Sequence, residues 1–114
     1  MGRFTLRISR EGTVEKQGFG DLGPALDALE TEARAFATTE RRGAAHGIMR
    51  TYEPGQIVAL RAEIAGPRVH GGVDVRGDGS AEAFTGRLRR RLVEQRSGES
   101  PYEALRRVLG PGQP

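Results

Sequence analysis

The sequence predicts an α+β domain in which a mainly antiparallel sheet of four to five strands carries helices on one face. Two central segments, Ile57–Ile64 and Val69–Arg76, alternate apolar and polar residues, which is the period of half-buried strands. An N-terminal segment, Arg3–Ser9, alternates in the same way. The stretch 22–38 instead repeats its apolar residues at helical spacing. Because a sheet with one apolar face and a helix with an apolar stripe bury those surfaces against each other, we expect two layers.

The expected order of the elements is β-β-α-β-β-β-α-α. Arg3–Ser9 and Thr13–Gln17 form a hairpin, since the short link between them cannot make a parallel crossover. The first helix begins near Leu22 with Pro24 in its first turn, where a missing N–H is tolerated. Ile48–Tyr52 is expected to add a short strand before the two central strands.

Two more helices are expected in the last third of the chain. The segment 81–95 places its apolar residues on one helical stripe. These residues are Ala81, Phe84, Leu88 and Leu92. Ser100 and Glu103 form a capping box with Pro101 at the first helical position, so a last short helix runs to about Leu109. The apolar face of the sheet would then carry the first two helices.

The length and composition indicate one domain. The 114 residues contain no internal repeat, so residues 1–110 are expected to form a single domain and residues 111–114 a flexible tail. The absence of cysteine excludes disulfides and thiolate chemistry. No apolar run approaches the ~18 residues of a membrane span, and the alternating N-terminus lacks the apolar core of a signal peptide. We therefore expect no membrane partner and a cytoplasmic location.

Charge is segregated along the chain. The net charge is +3, and Lys16 is the single lysine among 18 basic residues. Together with 17 glycines, this usage is typical of a GC-rich genome, which raises the arginine content without a functional cause. Residues 21–40 carry five acids against one arginine, whereas residues 79–114 carry seven arginines against four glutamates. An acidic helix and a basic one are therefore expected in the same domain.

The arginines of the expected 81–95 helix are the first functional candidate. Four of them spread over its polar arc: Arg87, Arg89, Arg90 and Arg96. Such a basic face contacts a polyanion, most often nucleic acid, through its phosphates, and an acidic protein surface is the other partner that it fits. The alternative is an ordinary solvated helix face. Four Phe and two Tyr are too few to predict an aromatic stacking platform of the single-strand-binding kind.

The exposed faces of the expected strands add further arginines. These are Arg7, Arg50, Arg61, Arg68 and Arg76. Three acids, Glu15, Glu63 and Asp74, can pair with some of them across neighbouring strands. The basic surface is therefore expected to extend from the 81–95 segment onto the sheet.

The C-terminal helix supports a second interpretation, in which the protein self-associates or works beside another protein. Several apolar residues lie in this helix or, for Val93, on the side of the expected 81–95 helix opposite Phe84 and Leu88, in a domain whose core the sheet and the first helix already supply. They are Val93, Tyr102, Leu105, Val108 and Leu109. These side chains can cover the chain's own core, a second copy or another protein. A protein–protein interaction module, or a subunit of an oligomeric bacterial complex, is therefore the alternative function.

No residue pattern in the sequence indicates a catalytic site more strongly than it indicates an ordinary structural role. The run Gly18–Gly23 has the spacing of a dinucleotide-binding loop, but Asp21 would repel a phosphate there, and the preceding strand belongs to a hairpin. His70 and Asp74 share a strand face at about 13 Å, too far apart for a direct dyad at ~3.3 Å per residue. The sequence therefore predicts no catalytic residue, no cofactor and no metal site. A small enzyme whose site combines residues distant in the chain is the third alternative.

Overall fold

The computed structural model describes residues 3–45 and 58–110 of the chain. Within these ranges the elements are β1 (Phe4–Arg10), β2 (Thr13–Phe19), α1 (Leu22–Ala45), β3 (Val58–Gly66), β4 (Val69–Arg76), β5 (Ala81–Thr85), β6 (Arg91–Leu92) and α2 (Pro101–Leu109). The six strands form one antiparallel sheet in the order β2-β1-β3-β4-β5-β6. The expected α+β class is confirmed, with one strand more than the larger number predicted.

Two-residue turns close the two hairpins that the sequence predicts. Glu11 and Gly12 link β1 to β2 with φ angles of 45° and 77°. Positive φ at both positions is what a type I′ turn requires, and this turn matches the twist of the strands that it joins. Pro67 and Arg68 link β3 to β4, with Arg68 at a φ of 60°. Because each turn is so short, it fixes the register of its two strands.

Both helices pack on the same face of the sheet, and the core lies between the two layers. The strands contribute alternate residues to this core: Leu6, Ile8, Leu60, Ala62, Ile64, Val73, Val75 and Ala83. The helices contribute Leu22, Ala25, Leu26, Leu29, Ala33, Ala37, Tyr102 and Leu105. The helix α1 packs on β1 to β4, and α2 packs on β4 and β5. The two-layer arrangement is thus confirmed, although α2 takes the place expected for the 81–95 helix.

The expected helix over 81–95 is wrong. Its first five residues form β5, in which Ala81 and Ala83 lie on the helix side of the sheet, because their partners on β4 are the buried Val75 and Val73. Gly86 follows with a φ of +100°, a conformation that ends the strand and suits glycine. The short segment pairs with β4 because that strand would otherwise leave its backbone groups unpaired. The helical spacing of the apolar residues in this segment therefore does not reflect a helix.

Several other boundaries can be compared with their expected positions. The strands near Arg3–Ser9, Thr13–Gln17, Ile57–Ile64 and Val69–Arg76 are confirmed within one or two residues. The helix α1 continues beyond residue 38 to Ala45. The expected strand Ile48–Tyr52 and the expected tail 111–114 lie outside the described residues. No described helix combines the length and the apolar character needed to cross a membrane.

The capping box that the sequence predicts at the start of α2 is confirmed. The Ser100 hydroxyl accepts a hydrogen bond from the Glu103 N–H at 3.1 Å, and the Glu103 carboxylate accepts one from the Ser100 N–H at 2.9 Å. Pro101 follows the cap at the start of the helix. The two bonds satisfy donors that the helix itself cannot pair, so they fix where α2 begins.

Glu99 fastens the segment before α2 to the helix. Its carboxylate accepts hydrogen bonds from the Arg107 guanidinium at 2.9 and 3.0 Å and from the backbone N–H of Arg96 at 2.9 Å. The Arg107 guanidinium, and after it the Arg96 N–H, lower the pKa of Glu99 from its usual value to about 2. The charged form of this carboxylate is therefore favoured by folding.

The substitution Glu99→Gln is expected to lower the melting temperature at pH 6, and this effect is expected to shrink strongly as the pH falls to 2. A carboxylate whose pKa falls on folding contributes stability above its unfolded pKa of about 4.3, and that contribution disappears as the pH falls through the folded value. The two proteins should therefore approach the same melting temperature as the pH is lowered from 6 to 2. The control is Glu94→Gln, because the Glu94 carboxylate makes no ion pair with a described residue. A difference for Glu99→Gln that stays constant with pH would contradict the assignment.

Candidate nucleic-acid interface

The face of the sheet opposite the helices is covered by no described secondary-structure element, and we call it the open face. Residues directly opposite each other on antiparallel strands project from the same side of a sheet. One row therefore crosses the open face from edge to edge: Lys16, Arg7, Glu63, Gly72, Phe84 and Leu92. A second row runs beside it: Val14, Ser9, Arg61, Asp74 and Glu82. The open face is thus rich in charge, in contrast to the apolar helix side.

Ion pairs between strands organise the middle of the open face. Arg61 on β3 donates two hydrogen bonds to the carboxylate of Asp74 on β4, at 2.6 and 3.1 Å. Arg76 on β4 donates to Glu82 on β5 at 2.6 Å. The expected pairing of strand arginines with acids is confirmed for Arg61 and Asp74. These side chains neutralise each other, so little net charge remains in this part of the surface.

Phe84 is buried on the open face by arginine side chains. Its exposed fraction is 1%, and it lies opposite Gly72, which has no side chain to compete for the space. The Cζ atom of Arg90 lies 4.7 Å from the centre of the Phe84 ring, and the Cζ atom of Arg61 lies 5.8 Å from it. Such distances are typical of cation–π contacts. The ring therefore holds two guanidinium groups in place on the open face.

The residues from Gly86 to Arg91 connect β5 to β6, and we call them the arginine loop. Gly86 is required at its start, because a Cβ atom there would collide with the carbonyl oxygen of Arg89. His70 on β4 makes two contacts with Gly86. The carbonyl oxygen of His70 accepts the Gly86 N–H at 3.0 Å, and the Nδ1 atom of His70 lies 2.8 Å from the Gly86 carbonyl oxygen. The side chains from Arg87 to Arg91 are exposed, and Leu88 reaches 96%. The loop is therefore bound to β4 at Gly86, and the side chains that follow are exposed to solvent.

The four arginines predicted as one helical face lie in two different places. Arg87, Arg89 and Arg90 belong to the arginine loop, whereas Arg96 follows β6. All four side chains are exposed, although the helix expected to carry them is absent. Arg90 lines a groove of about 510 Å³ on the open face together with Arg7, Arg61, Ser9 and Glu63. Arg87 lines another groove, of about 470 Å³, together with Arg68, His70, Val108 and Leu109.

The described arginines divide into a paired and an unpaired group. The paired ones each lie within 4 Å of a carboxylate: Arg34, Arg61, Arg76, Arg106 and Arg107. None of the arginines between residues 87 and 96 has such a partner among the described residues: Arg87, Arg89, Arg90, Arg91 and Arg96. Arg7 and Lys16 on the open face are unpaired by the same criterion. The segment 87–96 therefore carries five arginines without an ion pair among the described residues, against one acid of its own, Glu94, and a longer-range attraction of Arg96 to Glu99.

The residues predicted as a protein interface differ in how deeply they are buried. Tyr102 and Leu105 lie in the core of this chain, with exposed fractions of 5% and 0%, so neither can reach a partner in this structure. Val93 and Leu109 are half-buried at the edge of the same core. Val108 is 41% exposed. Of the three roles open to the C-terminal helix, the structure shows that it covers its own core, since α2 packs on β4 and β5 and adds Tyr102 and Leu105 to the cluster.

Other classes of site find less support in the described part of the chain. It contains no group of three or more His, Asp or Glu side chains that could hold a metal ion. His70 is 3.5 Å from the carboxylate of Glu63 through its Nε2 atom, whereas Asp74 is bound to Arg61. Comparisons with models of protein families, with curated proteins and with solved structures found no match.

The sequence analysis missed three contributors to this surface: Lys16, Leu88 as an exposed side chain, and Phe84 as the support of Arg90. Lys16 could have been found, because a two-residue turn at Glu11 and Gly12 places it opposite Arg7. No local pattern indicates that Phe84 and Arg90 meet, since their contact depends on a loop that turns back over the sheet.

Proposed function

We propose that this protein is a small binding module for a polyanion, namely nucleic acid, which it contacts through the arginine loop and the adjoining open face. The observation that carries this proposal is the segregation of the arginines. Of the nine arginines elsewhere whose side chains the structure describes, five are paired with acids, whereas none of the five between residues 87 and 96 is paired with a described acid and all five are exposed. An arginine-rich composition alone explains the number of arginines but not this distribution.

Unpaired guanidinium groups suit phosphate ligands. A guanidinium presents several donors in a planar fork and binds a phosphate through two parallel hydrogen bonds. Each neutralised phosphate releases condensed counterions, which favours binding at low salt. Arg7 and Lys16 extend the positive charge along one row of the open face, where neighbouring strands are about 4.8 Å apart. The loop and this row therefore form a surface that can follow a charged backbone.

The triple variant Arg87/Arg89/Arg90→Gln is expected to bind labelled DNA and RNA at least tenfold more weakly than the wild type at low salt. For the wild type, the logarithm of the affinity should fall with the logarithm of the salt concentration, with a slope of about −3 for three or four phosphates on duplex DNA. The slope for the variant should be clearly shallower, because only the phosphates contacted by the unchanged cations remain neutralised. Fluorescence anisotropy at several salt concentrations measures both quantities.

A second triple variant controls for the change in net charge. Thr31, Ala35 and Thr38 are exposed on α1, on the side of the molecule away from the open face. Replacing all three by Glu lowers the net charge by three, as the arginine variant does. If both variants bind equally weakly, only the net charge of the protein matters. If the wild type and both variants bind equally, the arginines are a solvated surface and the proposal is wrong.

A protein partner is the second candidate function, and two leucines favour it. Leu88 is 96% exposed at the tip of the arginine loop, and Leu92 is 65% exposed on β6. Large apolar side chains that stay this exposed often belong to contact surfaces. A protein partner with an acidic, partly apolar surface would use both the leucines and the arginines. Light scattering of the wild type and of a Leu88→Ser/Leu92→Ser variant distinguishes self-association through these residues from a monomer.

A further inference from the structure

Arg90 differs from the other arginines of the arginine loop in how its side chain is held. Its guanidinium lies over the Phe84 ring at 4.7 Å, yet the residue itself is exposed. One side of the guanidinium therefore faces a buried ring, while the residue as a whole remains exposed. Arg87, Arg89 and Arg91 make no contact with an aromatic ring in the described structure. Among the arginines of the arginine loop, Arg90 alone is both held against a ring and exposed.

The groove beside Arg90 has the size and chemistry for one unit of a charged chain. Its volume is about 510 Å³, and its polar lining includes Arg7, Arg61, Ser9 and Thr13 beside two acidic residues, Glu11 and Glu63. Arg61 is already bound to Asp74, so it is not available as a free cation. Arg7 is exposed and has no acid within 4 Å among the described residues. The groove thus offers a free charge at Arg7 and a supported guanidinium at Arg90.

We propose that this groove binds an unpaired nucleobase of a single-stranded nucleic acid, with the base stacked on Arg90 and a neighbouring phosphate on Arg7. This inference rests on the proposed function and names its ligand. A guanidinium is planar and delocalised, and it stacks on flat π systems much as an aromatic side chain does. A base can take this position only when its own face is free. Bases inside a duplex are covered by their neighbours, so single-stranded segments are the fitting ligand.

The scarcity of aromatic residues does not count against this site. Phe84 is 1% exposed and cannot stack on a base itself. Its role is to orient Arg90, while Arg61 packs against the ring as well and is held by Asp74. The planar surface offered to a ligand is then a guanidinium. A count of aromatic residues in the sequence does not reveal such a surface.

The test compares Arg90→Lys with the wild type on two oligonucleotides of equal length. One is a twelve-residue oligothymidylate, and the other carries the same phosphates on abasic sugars. Lysine keeps the positive charge but has no planar group. We expect Arg90→Lys to bind oligothymidylate about five- to tenfold more weakly, as loss of one stacked base implies, and to bind the abasic strand as the wild type does. The salt dependence should not change, because the charge is retained.

Arg89→Lys is the matched control, since Arg89 is an exposed neighbour in the same loop with no ring beneath it. Its effect on the two oligonucleotides should be equal. Oligouridylate is included beside oligothymidylate, so that RNA and DNA are compared directly. Equal melting temperatures for the three proteins establish that the substitutions do not unfold the domain.

Two results would overturn the inference and leave the proposed function intact. The wild type could bind the abasic strand as tightly as oligothymidylate, or Arg90→Lys could weaken both complexes by the same factor. In either case the protein contacts phosphates without a base. If the wild type binds no oligonucleotide and no heparin even at low salt, the proposed function fails together with the inference.

Discussion

Leu105→Ala is expected to lower the free energy of unfolding by about 3 kcal/mol, the usual effect of emptying a leucine-sized site in a core. Leu105 has an exposed fraction of 0% and belongs to the cluster between α2 and the sheet. One of its methyl carbons, Cδ1, would lie 3.3 Å from a Cβ atom at Gly71. Glycine thus leaves room on β4 for the leucine to pack closely. Urea unfolding followed by circular dichroism measures the change.

Val108→Ala is the control for that experiment because it removes apolar carbon from the same helix at a position that is 41% exposed. We expect a change within about 0.5 kcal/mol, as for most surface positions. A large effect at Leu105 beside a small one at Val108 would establish α2 as part of this chain's own core. Small effects at both positions would return Leu105 to the set of interface residues.

Gly72→Ala is expected to destabilise the sheet by about 1 to 3 kcal/mol, the range for overpacked sites. A Cβ atom at this position would collide with the carbonyl oxygen of Ala62 and would lie 2.9 Å from the Cα atom of Glu63. Both are backbone atoms of β3, so no side-chain rotation can relieve the contact. The pairing of β3 with β4 would have to open at its centre. Thermal unfolding followed by circular dichroism is the measurement.

Gly23→Ala makes the same chemical change where there is room for it. No atom outside the neighbouring residues lies within 4 Å of a Cβ atom at Gly23, which is near the start of α1. Alanine favours a helix by up to about 1 kcal/mol over glycine, so this variant should be slightly more stable than the wild type. Opposite signs for the two variants would separate crowding at Gly72 from general effects of glycine replacement. An unchanged melting temperature for Gly72→Ala would contradict the geometry.

The elements that the sequence predicted correctly are those with strong local signals. The capping box at Ser100 is complete within four residues, and the alternation of Val69–Arg76 is specific to a strand. The segment 81–95 gave two competing signals, because its apolar residues fit a helical stripe while Ala81, Glu82 and Ala83 also alternate. The hydrogen-bonding edge of β4 decided between them. That edge is a property of the assembled sheet and has no local sequence signal.

For the candidate site too, properties set by single residues were predictable, whereas contacts between distant segments were not. Exposure of Arg87, Arg89, Arg90 and Arg96 followed from their charge and is independent of the element that carries them. Which other side chains lie near Arg90 could not be predicted, because Arg7 and Arg90 are brought together by strands that are distant in sequence. The orientation of Arg90 over Phe84 likewise depends on the turn at Gly86.

The strand order has a consequence for how the chain folds. Each of the pairs β1–β2, β3–β4, β4–β5 and β5–β6 joins segments that are close in sequence, whereas β1 and β3 pair across α1, with Leu6 opposite Ile64. Two units, the β1–β2 hairpin and the strands β3 to β6, can therefore form quickly on their own. Joining them requires closure of a long loop before any contact between them is gained, and such non-local pairing slows folding. We expect that step to be rate-limiting, so a longer connection between α1 and β3 would slow folding while leaving unfolding almost unchanged.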